Sequence, residues 1–159
     1  MKSDRLEGKV AVVVGGGSGM GRAGAVAMAA EGASVVVADL ALERAEAVAA
    51  SITERAGTAD SMHVDVTSTE SVEHLIVEAV SKFGRLDALY HCAADVPYVN
   101  TRDSRLTELD DEVWHRIIDV HLTGTFLVLK HTGRHMAQIF PLDLFSAVPI
   151  QFFISLAGT

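Results

Sequence analysis

A chain of 159 residues with 49% apolar side chains has the material for one domain with a packed core, which excludes a disordered polypeptide. The formal net charge of −8 argues against nucleic acid or an anionic membrane as partner. A single cysteine, Cys92, cannot close a disulfide within the chain, and the apolar stretch after the charged opening Met1–Glu7 is too short for a signal or a membrane span. The expected location is therefore the reducing cytoplasm.

Strand and helix patterns then alternate. The run Lys9-Val10-Ala11-Val12-Val13-Val14 reads as a strand and enters Gly15-Gly16-Gly17-Ser18-Gly19-Met20-Gly21. A helix over about residues 20–31 follows, stopped by Gly32. The second strand, 34–39, ends on Asp39, 18 positions after Gly21. A second helix, about 42–55, stops at Gly57, and a short strand near 61–64 precedes Asp65. Val72, Leu75, Ile76, Ala79, Val80 and Phe83 recur at helical spacing. Thr67 and Glu70 have capping-box spacing, and Gly84 is the stop. Residues 86–91 read as a fourth strand and 95–105 as a polar loop. A long helix opens near Thr107, with an inward stripe of Val113, Ile117, His121, Gly124 and Val128. Residues 139–150 are apolar with two prolines, and 151–155 read as a fifth strand entered at Pro149. The order predicts an α/β fold, a parallel sheet covered on both faces with right-handed crossovers. No repeat or linker divides it, so residues 1–159 are expected to form one domain, with 137–159 atypical.

The glycine turn carries the first chemical signal. A strand that runs through glycines into a helix gathers bare backbone N–H groups at the positive end of a helix dipole, which suits a diphosphate. A carboxylate at the end of the second strand, here Asp39, can hold the ribose hydroxyls of a dinucleotide. Each feature has a plainer reading. The glycines could serve only a tight turn and close packing, Asp39 could be a strand-end or helix-cap carboxylate, and Asp65 could cap the next helix. His131 and His135 are four apart, a spacing that can hold zinc from one helix face, but no third ligand is evident and no metal is expected.

These residues resemble the short-chain dehydrogenases/reductases. The family's Thr-Gly-x-x-x-Gly-x-Gly appears as Val14-Gly15-Gly16-Gly17-Ser18-Gly19-Met20-Gly21, with valine for threonine. Asp39, Asp65-Val66, Leu86-Asp87-Ala88-Leu89 and the helix Trp114 to Phe126 with Leu122-Thr123-Gly124-Thr125-Phe126 match further family segments. The resemblance implies a Rossmann-like doubly wound parallel sheet of strand order 3-2-1-4-5. It implies that the cofactor lies against Gly15, Gly17, Ser18, Gly19, Met20 and Gly21 of the loop and against Asp39 and Leu40. Asp65 and Val66 would hold the adenine, and Cys92, Ala93 and Ala94 would complete the site. NAD is expected over NADP, because Asp39 repels a 2′-phosphate, Leu40 is not a cation and Ser18 is not basic.

The departures are as informative. His91-Cys92-Ala93-Ala94 stands for the family's Asn-Asn-Ala-Gly, and His121 stands where the catalytic helix asparagine falls. His121 could equally be a core histidine on the inward stripe, and Cys92 a packing residue. Ile154-Ser155-Leu156-Ala157-Gly158 is similar to the segment with the catalytic serine, which makes Ser155 the candidate. The family's Tyr-x-x-x-Lys is missing: Ala94 lies four after Tyr90, Arg102 four after Tyr98, and no lysine follows Lys130. In the family that tyrosine moves a proton, the lysine lowers its pKa, and the serine hydrogen-bonds the reacting oxygen. The expectation is an NAD-dependent alcohol or carbonyl oxidoreductase with an unidentified small substrate, this chain being a cofactor-half fragment without the last strands. The surface that makes the family's homo-oligomers would be reduced. The alternative is a non-catalytic nucleotide-binding or interaction module. A methyltransferase on a similar sheet is a third reading, which leaves Leu122 to Phe126 unexplained.

Overall fold

The computed structural model describes residues 4–139. Its elements are β1 (Val10–Val14), α1 (Gly19–Ala30), β2 (Ser34–Asp39), α2 (Leu42–Thr53), β3 (Thr58–His63), α3 (Thr69–Phe83), β4 (Ala88–His91), α4 (Val96–Arg102), α5 (Asp111–Ile118), a π-helical turn (Asp119–Thr123) and α6 (Gly124–Ile139). The described strands form one parallel sheet, order β3-β2-β1-β4. Val12 is in register with Val36 on one side and Leu89 on the other. The expected fifth strand at 151–155 lies outside the described residues.

β1 and β2 are central strands covered on both faces, so their sequences are continuous Val/Ala runs rather than alternations. On one face Val12, Val14, Val36 and Ala38 pack with Val72, Leu75, Ile76 and Ala79 of α3 and with Leu127 and Val128 of α6. On the other, Val13, Val35 and Val37 pack with Ala25 of α1 and Ala45, Val48, Ala49 and Ile52 of α2. That is the doubly wound arrangement the alternation predicts.

Four expectations are corrected. β3 begins at Thr58 instead of near 61. It is the outer strand, and its Asp60 and Ser61 interrupt any apolar run; Asp60 pairs instead with Lys82 of α3, 2.6 Å away. The stretch expected as loop contains α4, a short helix with Pro97 in its first turn and no buried residue, so no apolar period marks it. The cap of α3 is Ser68, which accepts from Ser71 N, while Thr67 turns its hydroxyl to Asp65. The long helix starts at Asp111 and is interrupted by the π turn, whose extra residue rotates the inward stripe. Val120 takes the core position (7% exposed), and His121 is only partly buried.

Leu75 sits at the centre of the α3 face, 1% exposed. Leu75→Ala is expected to destabilise the chain by about 2–5 kcal/mol, read from the shift in a urea unfolding curve. A loss within about 0.5 kcal/mol, the range of surface changes, would contradict the packing of α3 against β1 and β2.

Candidate functional site

The carboxyl ends of the strands open into one cleft of about 1430 Å³, lined by the glycine loop, Asp39, Leu40, Asp65, Val66 and the segment after β4. In open α/β sheets ligands bind at this end, where the strand order reverses between β1 and β4.

The loop is built by close approach. Gly15 N and Gly16 N donate to Ala38 O at 2.8 and 2.9 Å, which ties the turn to β2. A Cβ on Gly21 would lie 2.0 Å from Gly15 O, so only glycine lets α1 start this near the strand. Gly19 is different: its φ of +49° has open space on the side a Cβ would occupy. Ser18 is the N-cap of α1 but makes no side-chain cap bond, and no acidic residue sits in the first turn. Ser18 and the first turn therefore supply no side-chain cap acceptor and no negative charge of their own at the positive end of the helix. These features fit a diphosphate. Met20, at the same turn, is 43% exposed.

Asp39 joins the loop to the second strand. Its Oδ2 accepts from Gly17 N at 2.8 Å and its Oδ1 from Ala41 N at 3.0 Å. A side chain on Gly17 would strike that carboxylate, 2.8 Å from the Cβ position. The N-cap position of α2 belongs to Ala41, so Asp39 is not the helix cap. Both its oxygens keep lone pairs for hydroxyl donors. Leu40, beside it, is 58% exposed.

Asp65 is held by Thr67, whose N and Oγ1 donate to Oδ1 at 2.9 and 2.7 Å. The Thr67 hydroxyl, chiefly, keeps its carboxyl below the ordinary range, with a smaller contribution from the Arg116 charge. It is not the cap of α3. Val66 is buried against the start of α6, where a Cβ on Gly124 would meet Val66 Cγ2 at 2.8 Å.

After β1, a Cβ on Gly15 would lie 2.6 Å from Ala93 N, so the glycine loop leans on the exit of β4. Cys92 N donates to Val14 O, and its thiol is free, beside the Tyr90 phenol. Tyr90 itself points to α1, its ring against Gly24, and its pKa is raised by the hydrogen bond with Cys92 and by burial. His91 points to the opposite face. Its Nε2 lies 3.1 Å from Thr125 Oγ1, and Thr125 spends its one proton on His121 O at 2.6 Å. His91 therefore carries its proton on Nε2, and its buried Nδ1 has no hydrogen-bond partner among the described residues. Burial, then the nearby His121, push its pKa down to about 4.

His121 is not a satisfied core histidine. From the π turn its Nε2 accepts from Asp95 N at 3.1 Å, and Arg116 of α5 grips the Asp95 carboxylate at 2.9 and 3.1 Å. Sequence reasoning missed Arg116, Asp95 and Thr125. The available signal was the placement of Arg116 five residues before and Thr125 four residues after His121. Ala94 lines the cleft between Ala93 and Asp95. Ser155 lies outside the described residues. His131 and His135 sit in a groove toward α3, and His131 Nδ1 meets Glu73 at 3.2 Å. Among the described residues no group of three side chains could hold a metal ion.

A doubly wound parallel sheet with a glycine loop at the end of β1 and a carboxylate at the end of β2 places the chain in the Rossmann-like class. The model of one family, short chain dehydrogenase, matches residues 9–139, and the chain belongs to that family. It is 37% identical over 139 residues to short-chain dehydrogenase reductase 3b of Arabidopsis thaliana, covering 87% of this chain and 51% of that protein. It is 41% identical over 136 residues to a 3-alpha-(or 20-beta)-hydroxysteroid dehydrogenase of Mycobacterium bovis, covering 86% and 49%. A short chain dehydrogenase structure from Mycobacterium avium superposes with a TM-score of 0.77 at 34% identity, covering 84% and 48%. The chain spans about half the length of the curated relatives it matches. Family membership implies a nicotinamide dinucleotide cofactor. No helix among the described residues is long and apolar enough to cross a membrane.

His91 sets a pH dependence. Its folded pKa of about 4 lies below the free value near 6.5, so between those pH values the unfolded chain binds more protons. Stability is then lost as pH falls from about 6.5 to about 4, by an amount of order 3 kcal/mol. Urea unfolding at several pH values is expected to show this loss in the wild type and a flatter profile in His91→Asn. Parallel profiles would remove His91 as the cause.

Proposed function

We propose that the chain binds NAD(H) in this cleft and serves an oxidoreductase that moves hydride between an alcohol and a ketone or aldehyde. The observation that carries the reading is Asp39, anchored to the glycine loop through Gly17 N with lone pairs left over the cleft. A carboxylate there accepts from ribose hydroxyls and repels a 2′-phosphate, and the neighbouring Leu40 and Ser18 add no compensating cation. On this reading the first amides of α1, with Gly19 and Met20, hold the diphosphate. Asp65 and Val66 flank the adenine, and Cys92, Ala93 and Ala94 form the wall beside the loop. The bound dinucleotide supplies or takes the hydride.

The proton has a separate requirement. A phenol that acts as base at neutral pH needs its pKa lowered by a nearby cation. Tyr90 is raised instead and faces α1, away from the His91 side, and neither it nor Tyr98 is followed by a lysine four residues on. His121 has its Nε2 engaged by Asp95 N, so its part is to position the wall of the cleft. Ser155 is carried as the group that would hydrogen-bond the reacting oxygen, on the resemblance alone. Family membership displaces a methyltransferase.

Calorimetry with the purified chain is expected to give NADH at least about tenfold tighter than NADPH, about 1.4 kcal/mol. Asp39→Ser should narrow that gap, and Gly19→Trp should abolish binding while the fold persists. Tighter binding of NADPH would refute the cofactor choice, and no NADH binding by folded protein would refute the site.

A further inference from the structure

We infer that His131 and His135 of α6 form a site for a late first-row transition-metal dication such as Zn²⁺, with Glu73 of α3 holding His131 in place from its other ring nitrogen. The site lies outside the dinucleotide cleft and stands independently of the NAD(H) reading.

Residues four apart on a helix lie one above the other on one face, which lets two imidazoles of one helix reach the same ion. His131 and His135 have that spacing, and both line a groove of about 530 Å³ between α6 and α3. Spacing alone places many histidine pairs side by side, and the structure adds two observations. Both Nε2 atoms are buried, and neither has a hydrogen-bond partner among the described residues. On the other side of the His131 ring, Nδ1 is 3.2 Å from Glu73 Oε1. A carboxylate accepts, so the His131 proton is on Nδ1 and the neutral ring keeps its lone pair on Nε2. An imidazole held on one nitrogen by a carboxylate and bare on the other is the arrangement of metal-binding histidines, because the carboxylate fixes the ring and raises its basicity.

The surroundings set the class of ligand. His131 is 7% exposed, so an unmatched lone pair there costs desolvation with no return. Neutral ring nitrogens suit Zn²⁺, Ni²⁺ or Cu²⁺, whereas Mg²⁺ and Ca²⁺ take oxygen ligands. Ile76, Val77 and Val80 give the groove an apolar wall, which limits competing water. Arg134 also lines the groove, and its charge opposes a second cation; the Glu73 carboxylate offsets it. Among the described residues no group of three ligating side chains forms. Water therefore takes the remaining positions, and the ion is held more weakly than in a zinc site with three or four protein ligands.

The test is calorimetric titration of the untagged 159-residue chain with Zn²⁺, and with Mg²⁺ for contrast. The variants are His131→Gln, His135→Gln and Glu73→Gln, and circular dichroism melts check each fold. His135 is less buried than His131 and has no ion pair, so His135→Gln serves should His131→Gln not fold. The wild type is expected to bind one Zn²⁺ here and no Mg²⁺, and its melting temperature should rise with Zn²⁺, because the paired site exists only in the folded chain. Each histidine variant should lose that binding step and the rise in melting temperature. Glu73→Gln should bind Zn²⁺ about tenfold more weakly. A folded wild type that binds no Zn²⁺ would leave a buried water, donating to both nitrogens, as the occupant and overturn the inference. A Zn²⁺ step retained in folded His135→Gln overturns it equally, and unchanged affinity in Glu73→Gln overturns the part given to Glu73.

Discussion

The seat of α1 on the glycine loop is the contact on which the rest of the site depends. Gly21 passes so close to Gly15 O that a single methyl group would occupy the same space. That approach brings the first turn of α1 to the end of β1, and the loop is then held from three sides. Ala38 O takes two of its amides, Asp39 takes a third, and Ala93 supports it from β4. Ordering backbone costs roughly 1–2 kcal/mol per residue, more for glycine. The cost is borne by the two buried valine strands on which the loop is anchored. A loop fixed in this way offers its amides without rearrangement when an anion arrives, which is what preorganisation means in physical terms.

The wall after β4 follows a different logic, because two imidazoles stand where the resemblance to the family would place asparagines. An amide side chain can donate and accept at once at neutral pH, whereas a neutral imidazole offers one of each on opposite sides of the ring. His91 uses its donor on Thr125, and its buried Nδ1 has no partner among the described residues. His121 uses its acceptor on Asp95 N. The π turn makes that second bond available. Its extra residue gives Val120 the core position and lets His121 turn toward the strand exit. The two histidines keep the mechanical link between sheet and helix, and at His91, whose pKa burial pushes down, that link depends on protonation in a way asparagine's would not.

How far the sequence could be read follows from where each signal lies along the chain. β1 and β2 are short, buried on both faces and bounded by glycine or aspartate, so composition alone marks them. The loop, Asp39 and Asp65 are legible because each sits at a strand end, a place that local pattern locates. The start of β3 was not, because an outer strand can carry Asp60 and Ser61 and take its partner from another element, here Lys82. α4 was not, because a helix that buries nothing has no period to detect. Arg116 and Asp95 are 21 residues apart and meet only once α5 lies against the start of α4, so no spacing rule connects them.

The alternation of β4 also separates the two halves of the chemistry. Consecutive strand residues point to opposite faces. Leu89 joins the α3 and α6 side of the core, Tyr90 the α1 side, and His91 returns toward Thr125 of α6. The one tyrosine of the sheet is therefore committed to packing against Gly24, where its phenol is raised and its neighbour is a thiol. Moving it to the reacting side would need a shift of one residue, which would also exchange Leu89 and His91 between faces. The same register that keeps the cleft wall intact thus keeps this phenol out of it. On the proposed reading, binding the dinucleotide falls to the glycine loop, Asp39 and Asp65, and Tyr90, held against Gly24, has no part in it.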